Sequence, residues 1–347
     1  MVHWVFGDIF CASVGGLLVG GAITMQYSLN GRNNGCGGVI DVLTGKGKGG
    51  NFGWKFSYFA GLVLITMLIH LIFPSGSWVV SEDYTLTFFD QNEGFPSLMP
   101  WYSFIISGAL IGVGMRMGKG CTSGHGLNGM PLLHKGSWVS VGLFMVFGFT
   151  MANVCSSTGF LRLEPTEAEY WGADYSEFRR IAALVLFALI MVLEVWTIVQ
   201  HQNKPEVLSC LLIGVVFGLG LLVSGMNRIT KVLAFLTFDS NWDPSLAFVM
   251  GFGVLLNLFT FRWIKNNQQT PRNGPKFYAR HDVPLNLRIL LGASLFGLGW
   301  GIGGLCPGPG MLNFFILNKV ALWILACCSA IFAVDYYDDV QSLKKTT

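Results

Sequence analysis

Apolar residues are gathered into long runs separated by short polar or glycine-rich stretches. The runs fall at about 4–27, 54–73, 101–118, 136–153, 181–200, 207–224, 245–264, 287–304 and 315–334. Each approaches the roughly 20 residues that cross a bilayer as a helix. The pattern predicts an all-α integral membrane protein with about nine transmembrane helices. Residues 74–100 contain Glu82, Asp83, Asp90 and Glu93 and no basic residue, and 154–180 is rich in Glu and Asp. By contrast, 262–288 holds Arg262, Lys265, Arg272, Lys276, Arg280 and Arg288. Alternating the spans puts most of the 22 Lys and Arg on one face and most of the 19 Asp and Glu on the other. The positive-inside rule then places the basic face in the cytoplasm, with the N-terminus outside and the C-terminus inside. The start, MVHWVFGDIF, has no basic residue and does not read as a cleaved signal peptide. A plasma (inner) membrane location is the expectation.

The runs also repeat. GVGMRMGKGC at 112–121 aligns without gaps with GLGWGIGGLC at 297–306, matching Gly112, Gly114, Gly118 and Cys121 to Gly297, Gly299, Gly303 and Cys306. A turn-rich stretch follows each cysteine, TSGHG in one case and PGPG in the other. Upstream, Gly16 and Gly20 lead to Arg32 as Gly214 and Gly218 lead to Arg228. The chain thus reads as a first half over 1–178, a linker transmembrane helix over 179–204 and a second half over 205–347. One extra helix between equal halves turns the second upside-down, which is the inverted repeat of many transporters. Short re-entrant half-helices are expected at the glycine-rich breaks.

Composition narrows the classes. Of 347 residues 52% are hydrophobic and 12% charged, with a mean hydropathy of +0.55; soluble domains carry about 25% charged residues. A soluble enzyme and a disordered chain are both excluded. A net charge of +3 argues against a nucleic-acid partner. The 8 cysteines form no CxxC pair and no zinc spacing, so no metal and no cofactor is expected.

Chemistry is expected where helices break. Cys121 and Cys306 precede helix-start signals: Thr122 and Ser123 are capping types, and Pro307 suits a first helical position. Helix starts offer backbone N–H groups to anions. Two such starts from opposite leaflets would make a small anion site containing two thiols. Cys36, in NGRNNGCGGVI, is a third candidate on a stretch too short for a span. His125 could donate to an anion or orient a neighbour. Arg32, Arg228 and Lys119 are candidate anion-attracting groups, because charges near membrane breaks are functional candidates by default. Glu194 reads as a snorkelling side chain.

Three strings carry a family likeness: GMRMGKGCTSGHGLNGM at 114–130; GLGLLVSGMNRITKVLAFL with WDPSLAFVMGFG at 218–253; and LFGLGWGIGGLCPGPG at 295–310. With them the chain resembles the YeeE/YedE membrane family, also called the sulphur-transport domain family, with two halves fused in one chain. The resemblance implies inverted repeats, re-entrant helices and movement of an inorganic sulfur compound. In the thiosulfate-uptake members, cysteines along the path hand the substrate on through S–H···S contacts. Cys121 and Cys306 match the family's glycine–cysteine motifs, whereas the flanks of Cys36 match poorly.

Thiosulfate uptake along a cysteine-lined path is therefore the leading expectation, with no catalytic residue. The path residues are Cys121, Cys306, Cys36, His125, Ser123 and Thr122, and a cytoplasmic sulfurtransferase is a candidate partner. A thiolate would repel the anion, so the thiols are expected to stay protonated during passage. Persulfide or sulfite transport along the same path is an alternative. A membrane thiol redox or sulfur-transfer enzyme is another, weakened by the missing CxxC. A soft-metal carrier is the third, weakened because the 13 Met and 8 Cys are not clustered at ligand spacing.

Overall fold

The computed structural model describes residues 6–32, 35–44, 52–73, 77–81, 84–90, 99–161, 176–201, 203–239, 242–278, 283–314 and 318–346. Glu82, Asp83, Glu93 and Arg280 of the charged loops lie outside them. The helices are α1 (Phe6–Asn30), α2 (Cys36–Val39), α3 (Phe52–Ile72), α4 (Trp101–Met117), α5 (Lys135–Thr158), α6 (Ser176–Gln200), α7 (Lys204–Ser224), α8 (Ile229–Leu236), α9 (Ser245–Asn267), α10 (Leu287–Gly303), α11 (Pro307–Asn313) and α12 (Asn318–Thr346). A π-helical turn over Ser123–Gly129 separates α4 from α5. Among the described residues, 7 helical stretches are long and apolar enough to cross a membrane; Trp101–Met117 and Phe187–Gln200 are shorter apolar ones. The protein is an all-α integral membrane protein, and every predicted run overlaps a helix.

Local chemistry sets the ends. The Asn203 side chain accepts the Glu206 N–H at the start of α7, and Asn286 accepts that of Ile289 at 3.0 Å at the start of α10. Both satisfy amides that a helix start leaves open. α7 and α10 stop at Gly225 (φ 69°) and Gly304 (φ 62°), left-handed positions where a side chain would strain the backbone.

The long helices form two rows. In one, α3 packs on α7, α7 on α1 and α1 on α9; in the other, α12 packs on α4, α4 on α10 and α10 on α5. Exchanging α1 with α7, α3 with α9, α4 with α10 and α5 with α12 leaves this set of pairings unchanged. Small residues permit the crossings. A Cβ at Gly20 would lie 3.0 Å from the Cα of Gly253, and one at Gly214 3.2 Å from the Cα of Gly61. In a bilayer such close backbone approach replaces the hydrophobic drive that water supplies elsewhere. α6 packs on α3 and α7 and exposes Val185, Leu189, Val192, Trp196 and Val199, an apolar face suited to lipid.

One local expectation is corrected and one local feature is added. Glu194 is buried (3% exposed) rather than snorkelling. The 74–100 loop contributes an antiparallel hairpin, β1 (Ser77–Ser81) with β2 (Tyr84–Thr87). Its strands are too short to register in a hydropathy scan, yet rich in the Val, Thr, Trp and Tyr that favour strands.

Candidate functional site

The site forms where helices stop inside the protein. α4 ends at Met117, and Lys119 turns the chain at φ 57°. Cys121 and Thr122 then lead into the π-helical turn. α10 ends in the same manner at Gly304, after which Cys306 is extended and Pro307 opens α11. α1 ends at Asn30, and beyond Gly31 and Arg32 the chain starts again at Cys36 as α2. Broken backbone in a membrane must find partners within the protein. Asparagines supply many of them: Asn257 of α9 donates to the Leu127 carbonyl at 2.7 Å, Asn313 to that of Asn227 at 2.6 Å and Asn128 to that of Ser123 at 3.1 Å.

The three breaks meet. The Cys36 N–H donates to Ser123 Oγ at 3.0 Å, and the Gly37 N–H to Cys121 Sγ at 3.2 Å. Cys121 Sγ and Ser123 Oγ share a hydrogen bond of 3.1 Å. The Cys306 thiol contacts Thr122 and the Gly308 backbone, while that of Cys36 contacts Ser123 and Tyr58. A cavity of about 20 Å³ lies at the junction, lined by Cys36, Thr122, Ser123 and Cys306 together with apolar walls that include Phe217, Met226 and Met250. A space of this size admits one water. Among the described residues, none that lines it is charged.

Of the residues singled out in the sequence, Cys36, Cys306, Thr122 and Ser123 line the cavity. Cys121 sits just behind the wall, its sulfur held by Gly37 and Ser123. Thr122 makes no side-chain cap to the turn that follows it. His125 is wholly buried and braces the turn: its Nδ1 meets Ser137 Oγ at 3.1 Å and its Nε2 meets the Gly118 carbonyl at 3.0 Å. Arg32 pairs with Glu206 at 2.6 Å and lies over the Trp54 and Tyr278 rings. Arg228 pairs with Asp90 at 3.4 Å; that carboxylate also accepts the Thr230 N–H and hydroxyl at the start of α8. Lys119 is exposed at the end of α4. None of these three cations lines the cavity. Tyr58, Met226 and Met250 are additions from the structure, since an aromatic or a methionine in an apolar run carries no local mark of its role.

Comparison with known proteins matches residues 206–345 to a family of unknown function, DUF6691. A protein of Xylella fastidiosa (strain Temecula1) named "Probable transporter" is 34% identical over 124 residues, 35% of this chain and 83% of that protein. A second from the same strain, with the same name, is 33% identical over 142 residues, 40% of this chain and 89% of that protein. "Thiosulfate transporter TsuA" of Escherichia coli (strain K12) is 22% identical over 152 residues, covering 44% of this chain and 38% of that protein. Near-complete coverage of relatives at this identity, together with a membrane fold broken at the glycine–cysteine motifs, settles the family. Its relatives are named as transporters, and the chain belongs to the YeeE/YedE family of membrane proteins.

Proposed function

We propose that the protein takes up a small inorganic sulfur anion, thiosulfate, through the junction of its helix breaks. The observation that carries this reading is the convergence of Cys36, Cys306, Thr122 and Ser123 on one uncharged cavity with Cys121 directly behind. Moving an ion from water into a low-dielectric interior costs of order 20 kcal/mol in the idealised limit. Hydroxyls, thiols and glycine amides are the donors at hand to replace its hydration. The Gly37 N–H already donates to a sulfur, and a thiosulfate sulfur can take over that acceptor position. Thiols are weak donors, so their part is selectivity: they suit a soft, polarisable sulfur better than the hard oxygens of sulfate.

The relay runs from Cys306 past Cys121 to Cys36, with protonated thiols and no bond made to substrate. The family fold, the matched glycine–cysteine strings and the exchangeable helix pairings support two inverted repeats, 1–178 and 205–347, joined by the helix within 179–204. The same features support re-entrant segments at Cys36, Ser123 and Pro307. The charge distribution supports a plasma membrane protein with its N-terminus outside. A cytoplasmic sulfurtransferase is the class of partner that would consume the anion.

The test is uptake of ³⁵S-thiosulfate into liposomes containing the purified protein, with unlabelled thiosulfate, sulfate, sulfite and a persulfide as competitors. Uptake that thiosulfate alone competes supports the reading. Near-normal uptake by both Cys121→Ala and Cys306→Ala ends the relay.

A further inference from the structure

Two turns of helix beyond the cavity, about 10 Å, α1, α3 and α7 enclose a second set of buried polar groups. On α7 the step runs from Phe217 of the cavity wall to Cys210; on α1 it runs from Val19 to Gln26. Cys210 is fully buried and Gln26 is 4% exposed. The Cys210 thiol donates to Gln26 Oε1 at 3.5 Å and accepts from Asn30 Nδ2 at 3.2 Å. Asn30 Nδ2 also donates to Gln26 Oε1 at 3.1 Å. The other end of the same carboxamide, Gln26 Nε2, has no partner. An unpaired amide donor buried in the membrane region is costly to keep and calls for an explanation.

Helix crossing does not supply one. In the ungapped register that matches Gly16 to Gly214 and Gly20 to Gly218, Gln26 corresponds to Ser224 and Cys210 to Ala12. Ala12 is fully buried, so a methyl group suffices at the equivalent place in the other crossing. The thiol and the open amide occur on one side only. That side is the one to which the three-thiol junction connects, because the Tyr58 side chain contacts Cys36 and the Tyr58 backbone packs against Gly214, one turn of α7 from Cys210. From Asn30 the hydrogen bonds run on to Ser209 and Asn273, from Asn273 through Asn203 to Glu206, and from Glu206 to Arg32.

We propose that Gln26, Cys210 and Tyr58 form an inner relay site for the same sulfur oxyanion, an inference that rests on the transport reading above. The open Nε2–H of Gln26 donates to an anionic oxygen, and the Cys210 thiol lies against the soft sulfur. Tyr58 passes the ion from Cys36 to this pair on its way to the end that bears Arg32. No covalent bond changes, and the thiol keeps its proton.

The test is thiosulfate transport measured separately in membrane vesicles of the two orientations, for wild type, Cys210→Ala, Cys210→Ser and Gln26→Leu. The alanine variant is chosen because its counterpart, Ala12, already packs. For Cys210→Ala and Gln26→Leu the half-saturating concentration should rise about tenfold, the loss of one good hydrogen bond, when thiosulfate enters from the side bearing Arg32. Entry from the other side should keep its wild-type half-saturation, and Cys210→Ser should fall between. A general packing defect lowers transport from both sides alike; that result, or no change from either side, overturns the inner site. Wild-type vesicles that carry no thiosulfate remove the transport reading and the inner site with it.

Discussion

Asp8 and Glu206 hold matching places in the first turns of α1 and α7, and each binds a cation from the opposite half of the chain. Glu206 pairs with Arg32 at 2.6 Å, and Asp8 with Lys231 at 2.7 Å. The two contacts tie the start of each leading helix to the segment that follows the other. Glu206→Gln should destabilise the protein by about 1.5–3 kcal/mol, the range for a hydrogen bond to a charged group. Asp8→Asn should cost less, because Lys231 keeps Asp243 at 3.9 Å. Thermal melting in detergent checks the order.

Gly308 faces the Cys36 sulfur across the cavity. A Cβ there would lie 3.2 Å from that sulfur and 3.3 Å from Leu221 Cδ1. Gly308→Ala should leave folding near wild type and lower ³⁵S-thiosulfate uptake about tenfold, by narrowing the gap between α11 and the Cys36 thiol.

Gly214 sets how closely α7 approaches α3. A leucine there would drive its Cβ into the Tyr58 backbone, to within 3.0 Å of the carbonyl carbon. Gly214→Leu should destabilise by at least about 1–3 kcal/mol, since overpacking forces backbone shifts. A drop in melting temperature with a lower yield of monodisperse protein is the readout.

His125 braces the turn and does not line the cavity. His125→Ala removes its contacts to Ser137 and Gly118 and should cost about 2–4 kcal/mol from the space left behind and the lost hydrogen bonds. The preference for thiosulfate over sulfate, measured per folded molecule, should stay unchanged. A shifted preference would return His125 to the substrate path.

The helices are legible in the sequence because membrane spans are written as length and apolarity, both local properties. The breaks are legible because glycine and proline interrupt a helix locally, as between Gly118 and Cys121 and between Gly303 and Pro307. The long-range partners are not. Arg32 and Arg228 look like free cations in the sequence, since Glu206 and Asp90 lie more than a hundred positions away. The bracing contacts of His125 are hidden for a related reason: its partners, Gly118 and Ser137, give no sign in the sequence that they face it. Cys210 carries no local signal because its meaning comes from Gln26 and Tyr58 on two other helices.

The cavity wall holds no positive side chain, and this has an electrical consequence. A dianion crossing it alone would move two negative charges through the membrane. Against a potential of 100 mV, negative inside, that is about 2.3 kcal/mol per charge. Net inward flow would then need a cation travelling with the anion, or a cytoplasm in which the ion is used up as fast as it arrives.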